Sequence, residues 1–172
     1  APPQFTFDAK GQNGTVEFNA VGRPSALKIH GKGGAPSAKL QVDGKTLSGT
    51  ASFKLETLDT GIKLRNEHMK AKYLEIAKFP EAVLTFQNIA LPKDLKSNVV
   101  LTDVPFTGTL RLHGVEKPVQ GKTSAEKNGK KLKVDAMFDL KISDFNIPTP
   151  GFAGITMAED VSVKVSFEAE AN

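Results

Sequence analysis

The amino-acid sequence predicts a mainly β protein, a single antiparallel up-and-down barrel of about eight strands with one helix inserted near residues 64–74. Apolar and polar residues alternate one by one along several segments, as in strands with one buried face. Turn dipeptides separate these segments. The alternation stops over one charged stretch, which predicts the helix. At 172 residues the chain has the size of one domain, so we expect residues 1–172 to form one barrel.

The alternation is clearest in two long segments near the end of the chain. In residues 131–143, KLKVDAMFDLKIS, every second residue from Leu132 to Ile142 is apolar. Residues 160–170 repeat the pattern from Val161 to Ala169. Successive side chains of a strand point to opposite faces, so each segment has one apolar and one solvated face. Strands of roughly ten residues favour closure into a barrel over a sandwich of short strands.

Three turn dipeptides lie between apolar rows and predict tight hairpins. They are Asn13-Gly14, Asp43-Gly44 and Asn128-Gly129. Asn, Asp and Gly tolerate the positive φ angles that two-residue hairpin turns require. Hairpins join neighbouring antiparallel strands, which is the connectivity of an up-and-down barrel.

The charged stretch lies within DTGIKLRNEHMKAKYLEIAKFPEAVLTF, residues 59–86. We expect a helix from about Leu64 to Leu74, because Phe79-Pro80 blocks its continuation. Glu67 and His68 are sequence neighbours and point about 100° apart on a helix, so they do not form a catalytic dyad by themselves. A second histidine four residues after His68, as in the zinc motif H-E-x-x-H, is absent. We therefore expect a structural helix at the barrel mouth, with no catalytic residues and no metal site.

The composition limits the classes of function. Cysteine is absent, which excludes a disulfide framework, a zinc–cysteine site and a thiol nucleophile. The net charge is +4 at pH 7, but the lysines are spread along the strands and arginine is confined to Arg23, Arg65 and Arg111. Nucleic-acid readers cluster their charge and favour arginine, so we expect no nucleic-acid partner. No stretch approaches the ~20 apolar residues of a membrane-spanning helix.

The sequence begins Ala1-Pro2-Pro3-Gln4, without an initiator methionine. This start suits a mature periplasmic or secreted protein after signal-peptide removal, or a trimmed chain. A second apolar feature is the segment 145–158, FNIPTPGFAGITMA, which contains no charged residue. It predicts either a cover folded over one end of the barrel or an apolar entrance that touches a membrane. A homodimer is also compatible with the pattern.

The predicted inward face mixes large phenylalanines with very small residues such as Gly49, Ala51 and Gly108. Such a mixture fits interdigitated packing and fits an open interior equally well. An open interior with this composition would take an apolar, chain-like ligand, because a polar ligand would leave its hydrogen-bonding groups unpaired. The candidate lining residues on the strands are Phe18, Phe53, Leu55, Phe86, Phe106, Leu110, Phe138, Leu140 and Phe167.

Three ordered motifs resemble the YceI-like family of bacterial polyisoprenoid-binding proteins. The first runs Arg65-Asn66-Glu67-His68-Met69-Lys70 and continues to Lys78-Phe79-Pro80; Asn66 stands where the family usually has an acidic residue. The second is Phe106-Thr107-Gly108-Thr109-Leu110, followed by His113-Gly114. The third is Ser143-Asp144-Phe145-Asn146, with Asn146 where the family has a glycine.

The resemblance implies an extended, lipocalin-like barrel that holds a long isoprenoid chain in its lumen, in a periplasmic or secreted protein. It points to Arg65, His68, Met69 and Tyr73 on the helix and to the inward phenylalanines as ligand-binding residues. It implies no cofactor apart from a non-covalently bound isoprenoid or isoprenoid quinone-like lipid. Transport, storage, sequestration and stress response are the roles that it allows.

Two other functions remain open at this point. An enzyme acting on a lipid in the same cavity would use His68 with Tyr73 or Glu67. A fully packed barrel would act only through its surface, as an inhibitor or scaffold.

Overall fold

A computed structural model describes residues 4–23, 28–95, 98–148, 151–152 and 155–171. Within these residues, eleven β-strands form one antiparallel sheet. The strands are β1 (Gln4–Lys10), β2 (Gly14–Arg23), β3 (Lys28–Gly33), β4 (Ser37–Asp43), β5 (Thr46–Lys54), β6 (Glu81–Ala90), β7 (Asn98–Leu112), β8 (Val115–Asn128), β9 (Lys131–Lys141), β10 (Gly151–Phe152) and β11 (Ile155–Ala171).

The sheet closes into a barrel because the first and last strands pair. β1 pairs with β11 at Phe7↔Ala171, and β2 pairs with the same strand at Val16↔Val165. β1 and β2 are therefore two parts of one barrel strand. The neighbouring barrel strand is likewise made of two parts, β3, which pairs with β2, and β4, which pairs with β1. Counted so, eight antiparallel barrel strands follow one another in chain order. The predicted barrel is confirmed.

The predicted hairpin at Asn13-Gly14 is wrong. β1 and β2 run in the same direction along β11, and residues 11–13 only interrupt the strand. Gly14 is required by a close approach: a Cβ built on it would overlap the carbonyl oxygen of Ser166 and lie 2.8 Å from the Cα of Phe167. The other two predicted hairpins are confirmed, with Gly44 and Gly129 at positive φ between β4 and β5 and between β8 and β9.

The predicted helix is also confirmed, with a wider last turn. An α-helix, α1, spans Lys63–His68 and continues as a π-helical turn over Met69–Tyr73. The amide of Leu74 donates to the carbonyl of Met69 at 2.8 Å, five residues back, as π geometry requires. Met69 and Tyr73 lie four residues apart on one side of the helix and pack against the barrel core. The helix therefore covers one end of the barrel.

Away from the helix, the barrel interior is filled by phenylalanine rings set against glycines. Phe86 is paired across the sheet with Gly49 on one side and Gly108 on the other. Gly121 lies between Phe106 and Phe138, whose rings meet edge to face with centroids 6.5 Å apart. A glycine opposite an aromatic ring leaves room for that ring, so large and small residues interdigitate here.

The start of the segment 145–158 folds over the helix end of the barrel. Phe145 is 1% exposed and Ile147 is 5% exposed. Asn146 adopts φ = 58°, in the left-handed region that asparagine tolerates better than most residues. This part of the segment acts as a cover. The side chains of residues 151–158, including the predicted lip residues Phe152, Ile155 and Met157, lie outside the described residues.

Candidate functional site

A cavity of about 570 Å³ occupies the helix end of the barrel. Alternating residues of β2, β5, β6, β7, β9 and β11 form its walls, and the helix and the segment before it form its mouth. This volume lies within the ~300–1,000 Å³ typical of small-molecule sites. The wall residues are almost all apolar: Val16, Phe18, Ile29, Pro36, Ala51, Phe53, Leu55, Leu58, Ala82, Leu84, Leu110, Leu112, Phe138, Leu140, Ile142, Ile147, Val161, Val163 and Val165.

Most of the residues predicted from the sequence lie around this cavity. They are Phe18, Phe53, Leu55, Arg65, His68, Met69, Tyr73, Leu110, Phe138 and Leu140. Three others, which the sequence analysis also placed along the lumen, do not contribute to the cavity wall. Phe86, Phe106 and Phe167 are buried in the filled half of the barrel, where each is paired across the sheet with a glycine.

A network of polar contacts holds the start of the helix at the mouth. The Oδ1 atom of Asn66 accepts hydrogen bonds from the Thr60 amide (2.8 Å) and the Thr60 hydroxyl (2.6 Å). Arg65 donates from Nε to the Thr60 hydroxyl (2.9 Å) and from Nη2 to the Thr60 carbonyl (2.6 Å). Thr60 is buried, and these contacts satisfy its polar atoms. The network fixes the angle at which the helix crosses the mouth.

Asp59 anchors the same network to the barrel wall. Its backbone N–H donates to the carbonyl of Lys32 on β3, and its carbonyl accepts from the N–H of Lys32, both at 2.9 Å. The pKa of its carboxyl is held below the ordinary value, first because the Asn66 side-chain amide donates to it at 2.8 Å and second because the Gly61 amide does so. A carboxylate at position 66 could not make this donation. The asparagine at this position therefore suits its neighbour Asp59.

The polar side chains around the mouth are hydrogen-bond donors or cations. Arg65 is half-buried, and two of its donors are used on Thr60. His68 and Lys72 are exposed at the rim, and the Lys72 ammonium lies 5.6 Å from the centre of the Tyr73 ring. Asp and Glu are absent from the residues that line the cavity among those described. The mouth can therefore hydrogen-bond or attract the polar end of a ligand whose apolar part lies in the barrel.

His113 fastens the chain that follows the helix. Its Nδ1 lies 2.9 Å from the carbonyl oxygen of Phe145, and its Nε2 lies 2.8 Å from Oε1 of Glu75. Both ring nitrogens therefore face oxygen atoms, one of a backbone carbonyl and one of a carboxyl group. The hydrogen bond from His113 is the main reason that the pKa of Glu75 lies below its ordinary value of 4.5, and Lys78 acts in the same direction. The turn after β7 thus ties the helix connection to the cover at Phe145.

We expect Glu75→Gln to make the stability of the protein less sensitive to acid. A carboxyl whose pKa is lowered on folding stabilises the native state fully above its unfolded value, near 4.5, and loses this contribution as the pH falls through the folded value. Urea unfolding at a series of pH values should show a shallower acid decline for Glu75→Gln than for the unaltered protein. Glu67→Gln, at an exposed helix position, is the control. Equal declines in all three proteins would contradict the expectation.

Some lining residues were missed by the sequence analysis, for two reasons. Val161, Val163 and Val165 lie in the predicted alternating segment 160–170 but carry no feature that separates them from ordinary core residues. Thr60 and Lys72 lie outside the strands, where period-two alternation gives no signal. The pair Glu75 and His113 is separated by 38 positions, so only the folded chain brings it together.

The lipid-enzyme alternative would need His68 to act together with Tyr73 or Glu67. Among the described residues, His68 makes no hydrogen bond to Tyr73 or Glu67, and no group of three or more histidine, aspartate or glutamate side chains is placed to hold a metal ion. No helix in the described ranges is long and apolar enough to cross a bilayer. The arrangement is that of an apolar cavity with a polar mouth.

Solved structures with the same fold come from several bacteria. A polyisoprenoid-binding domain from Saccharophagus degradans superposes with a TM-score of 0.69, at 16% identity over 98% of both chains. Burkholderia cenocepacia BcnA gives a TM-score of 0.68, at 20% identity over 89% of this chain and 95% of its own. These likenesses show a shared barrel architecture.

Sequence relatives indicate the family. UPF0312 protein Ent638_1570 of Enterobacter sp. (strain 638) is 35% identical over 57% of this chain, and the match spans 50% of that relative's length. Protein YceI of Salmonella newport is 27% identical over 85% of this chain and 77% of its own. The YceI-like domain model matches residues 5–169. The chain therefore belongs to the YceI-like family.

Proposed function

We propose that this protein binds a long apolar chain, an isoprenoid or isoprenoid quinone-like lipid, inside the barrel. The apolar cavity of about 570 Å³ beneath the helix carries the proposal. The chain of the ligand lies against the strand residues, and its polar end lies at the mouth near Arg65 and His68. The protein acts as a binder, without chemical conversion of the ligand.

The energetics support an apolar ligand with few polar contacts. Burying one five-carbon unit contributes at most about 4 kcal/mol, at ~0.8 kcal/mol per methylene. Association costs roughly 4–15 kcal/mol, so two to four buried units offset it, and about three or more units leave roughly micromolar or better affinity where that cost is at the low end. Affinity then depends mainly on the length of chain that is buried, and the polar end contributes less.

The relatives support the isoprenoid class. The Saccharophagus degradans domain, which shares the barrel, is named as polyisoprenoid-binding, and this chain carries a YceI-like domain over residues 5–169. Branched isoprenoid units match a wall made of leucine, valine, isoleucine and phenylalanine side chains. We extend the proposal to transport, storage or sequestration of the lipid in the periplasm or outside the cell, with transient contact with a membrane during loading.

Filling the cavity tests the proposed function. Ala51 of β5 lines the cavity and is buried, whereas Thr50 beside it is exposed on the outer face. We expect Ala51→Phe to reduce the uptake of geranylgeraniol at least tenfold, because the new ring takes the space of about one isoprene unit. Thr50→Phe, the same side chain pointing outward, should bind as the unaltered protein does.

The readout is competition against a fluorescent polyene fatty acid, with native mass spectrometry of the purified protein to detect co-purified lipid. Circular dichroism confirms that both variants fold. Unchanged uptake by a folded Ala51→Phe variant would show that the lipid does not enter the barrel. A lipid-free mass together with no uptake by the unaltered protein would overturn the proposal.

A further inference from the structure

The cavity ends inside the barrel, about halfway along its strands. On β11, Val161, Val163 and Val165 line it, but Phe167 does not. On β9, Phe138 and Leu140 line it, but Ala136 and the inward residues before it do not. The four steps along the strand from Val161 to Val165 correspond to roughly 13 Å at ~3.3 Å per residue. The apolar space is therefore shallow compared with the barrel.

Phe138 forms part of the end wall and is braced from behind. It lines the cavity, and its ring also meets the ring of Phe106, which belongs to the filled half. The two rings meet edge to face, with centroids 6.5 Å apart and an interplanar angle of 87°. Gly121 lies between the two rings in the sheet, paired with Phe106 on β7 and Phe138 on β9. A Cβ on Gly121 would overlap the carbonyl oxygen of Met137 and lie 2.9 Å from the Cβ of Phe138. Phe138 thus has little freedom to move away from an approaching chain.

We propose that Phe138, braced by Phe106 across Gly121, is the stop that sets the maximum chain length of the ligand. This inference rests on the proposed function. At roughly 30 Å³ per heavy atom, the volume of one water molecule in the liquid, a cavity of about 570 Å³ holds on the order of 20 carbon atoms, or about four isoprene units. Units beyond these project through the mouth, where they gain little from burial.

The test is an affinity series with isoprenoid alcohols of increasing length: farnesol, geranylgeraniol and geranylfarnesol. For the unaltered protein we expect the affinity to rise at least tenfold from farnesol to geranylgeraniol, then to change less than twofold with geranylfarnesol. Phe138→Ala opens space for about one further unit. It should bind geranylfarnesol at least tenfold more tightly than geranylgeraniol.

Two further variants complete the series. Phe138→Leu keeps an apolar side chain and should shift the preference in the same direction but less, which keeps the test available if Phe138→Ala folds poorly. Met137→Ala shortens the neighbouring side chain, which is exposed on the outer face, and should leave the series unchanged.

The outcomes separate the inference from the function on which it rests. A continued tenfold gain with geranylfarnesol in the unaltered protein would overturn the length limit while leaving lipid binding in place. A plateau that does not move in folded Phe138→Ala or Phe138→Leu would exclude Phe138 as the stop. No uptake of any of the three alcohols would overturn the proposed function and the inference together.

Discussion

Phe106→Ala should lower the free energy of unfolding by about 3–5 kcal/mol, the range for removing a fully packed phenylalanine ring. Phe106 is 6% exposed and lies in the filled half of the barrel, where its ring contacts Phe138. Closed strands hydrogen-bonded on both edges cannot collapse far into the space that the ring leaves. A protein with a typical stability of ~5–15 kcal/mol would lose a large share of it.

Phe53→Ala is the matched comparison for this prediction. Phe53 is equally buried, at 7% exposure, but its side chain faces the existing cavity. Its removal enlarges a space that is already there, so the loss should be clearly smaller in the lipid-free protein. If the proposed lipid occupies the cavity, added lipid should stabilise both variants, and it should stabilise Phe53→Ala less, because this variant lacks a ring that lines the cavity. Urea unfolding of both variants, with and without geranylgeraniol, measures the free energy of unfolding in each case. An equal loss of this free energy in the two lipid-free variants would mean that the two halves of the barrel are packed alike.

The strands and the helix could be predicted from the sequence because each has a local signature. The alternation in residues 131–143 and 160–170 became β9 and the later part of β11, with the predicted residues inward. The helix was predicted within one residue at each end, since Phe79-Pro80 limits it. The π turn at Met69–Tyr73 was not predicted, because a hydrogen bond to the fifth preceding residue has no sequence pattern of its own.

Two features depend on contacts between distant residues and could not be predicted. Gly14 looks like a hairpin residue, but its role is to let β2 approach β11, and a glycine serves both purposes equally. The boundary between the filled and open halves depends on register: Phe86 faces Gly49 and Gly108 only once three strands are aligned. The sequence places phenylalanines and glycines in the inward rows but does not say which ones meet.

Gly121→Ala should be among the most damaging single-methyl additions in the barrel. An added Cβ would overlap the Met137 carbonyl and crowd Phe138, so either β8 and β9 move apart or the ring turns into the cavity. Overpacking of this kind costs about 1–3 kcal/mol and occasionally more. Gly34→Ala is the control, because a Cβ there would meet only Thr57, at an ordinary 3.8 Å. In urea unfolding, the free energy of unfolding should fall for Gly121→Ala and stay unchanged for Gly34→Ala.

The same substitution links the stability of the barrel to its capacity for lipid. If the displaced Phe138 ring turns toward the mouth, the cavity becomes shorter, and the affinity series should reach its plateau at farnesol instead of geranylgeraniol. If β8 and β9 separate instead, stability falls while the plateau stays where it is, because the stop has not moved. A Gly121→Ala protein as stable as the unaltered one would show that the sheet absorbs the extra methyl group, and that the close contact across Gly121 does not brace the end wall.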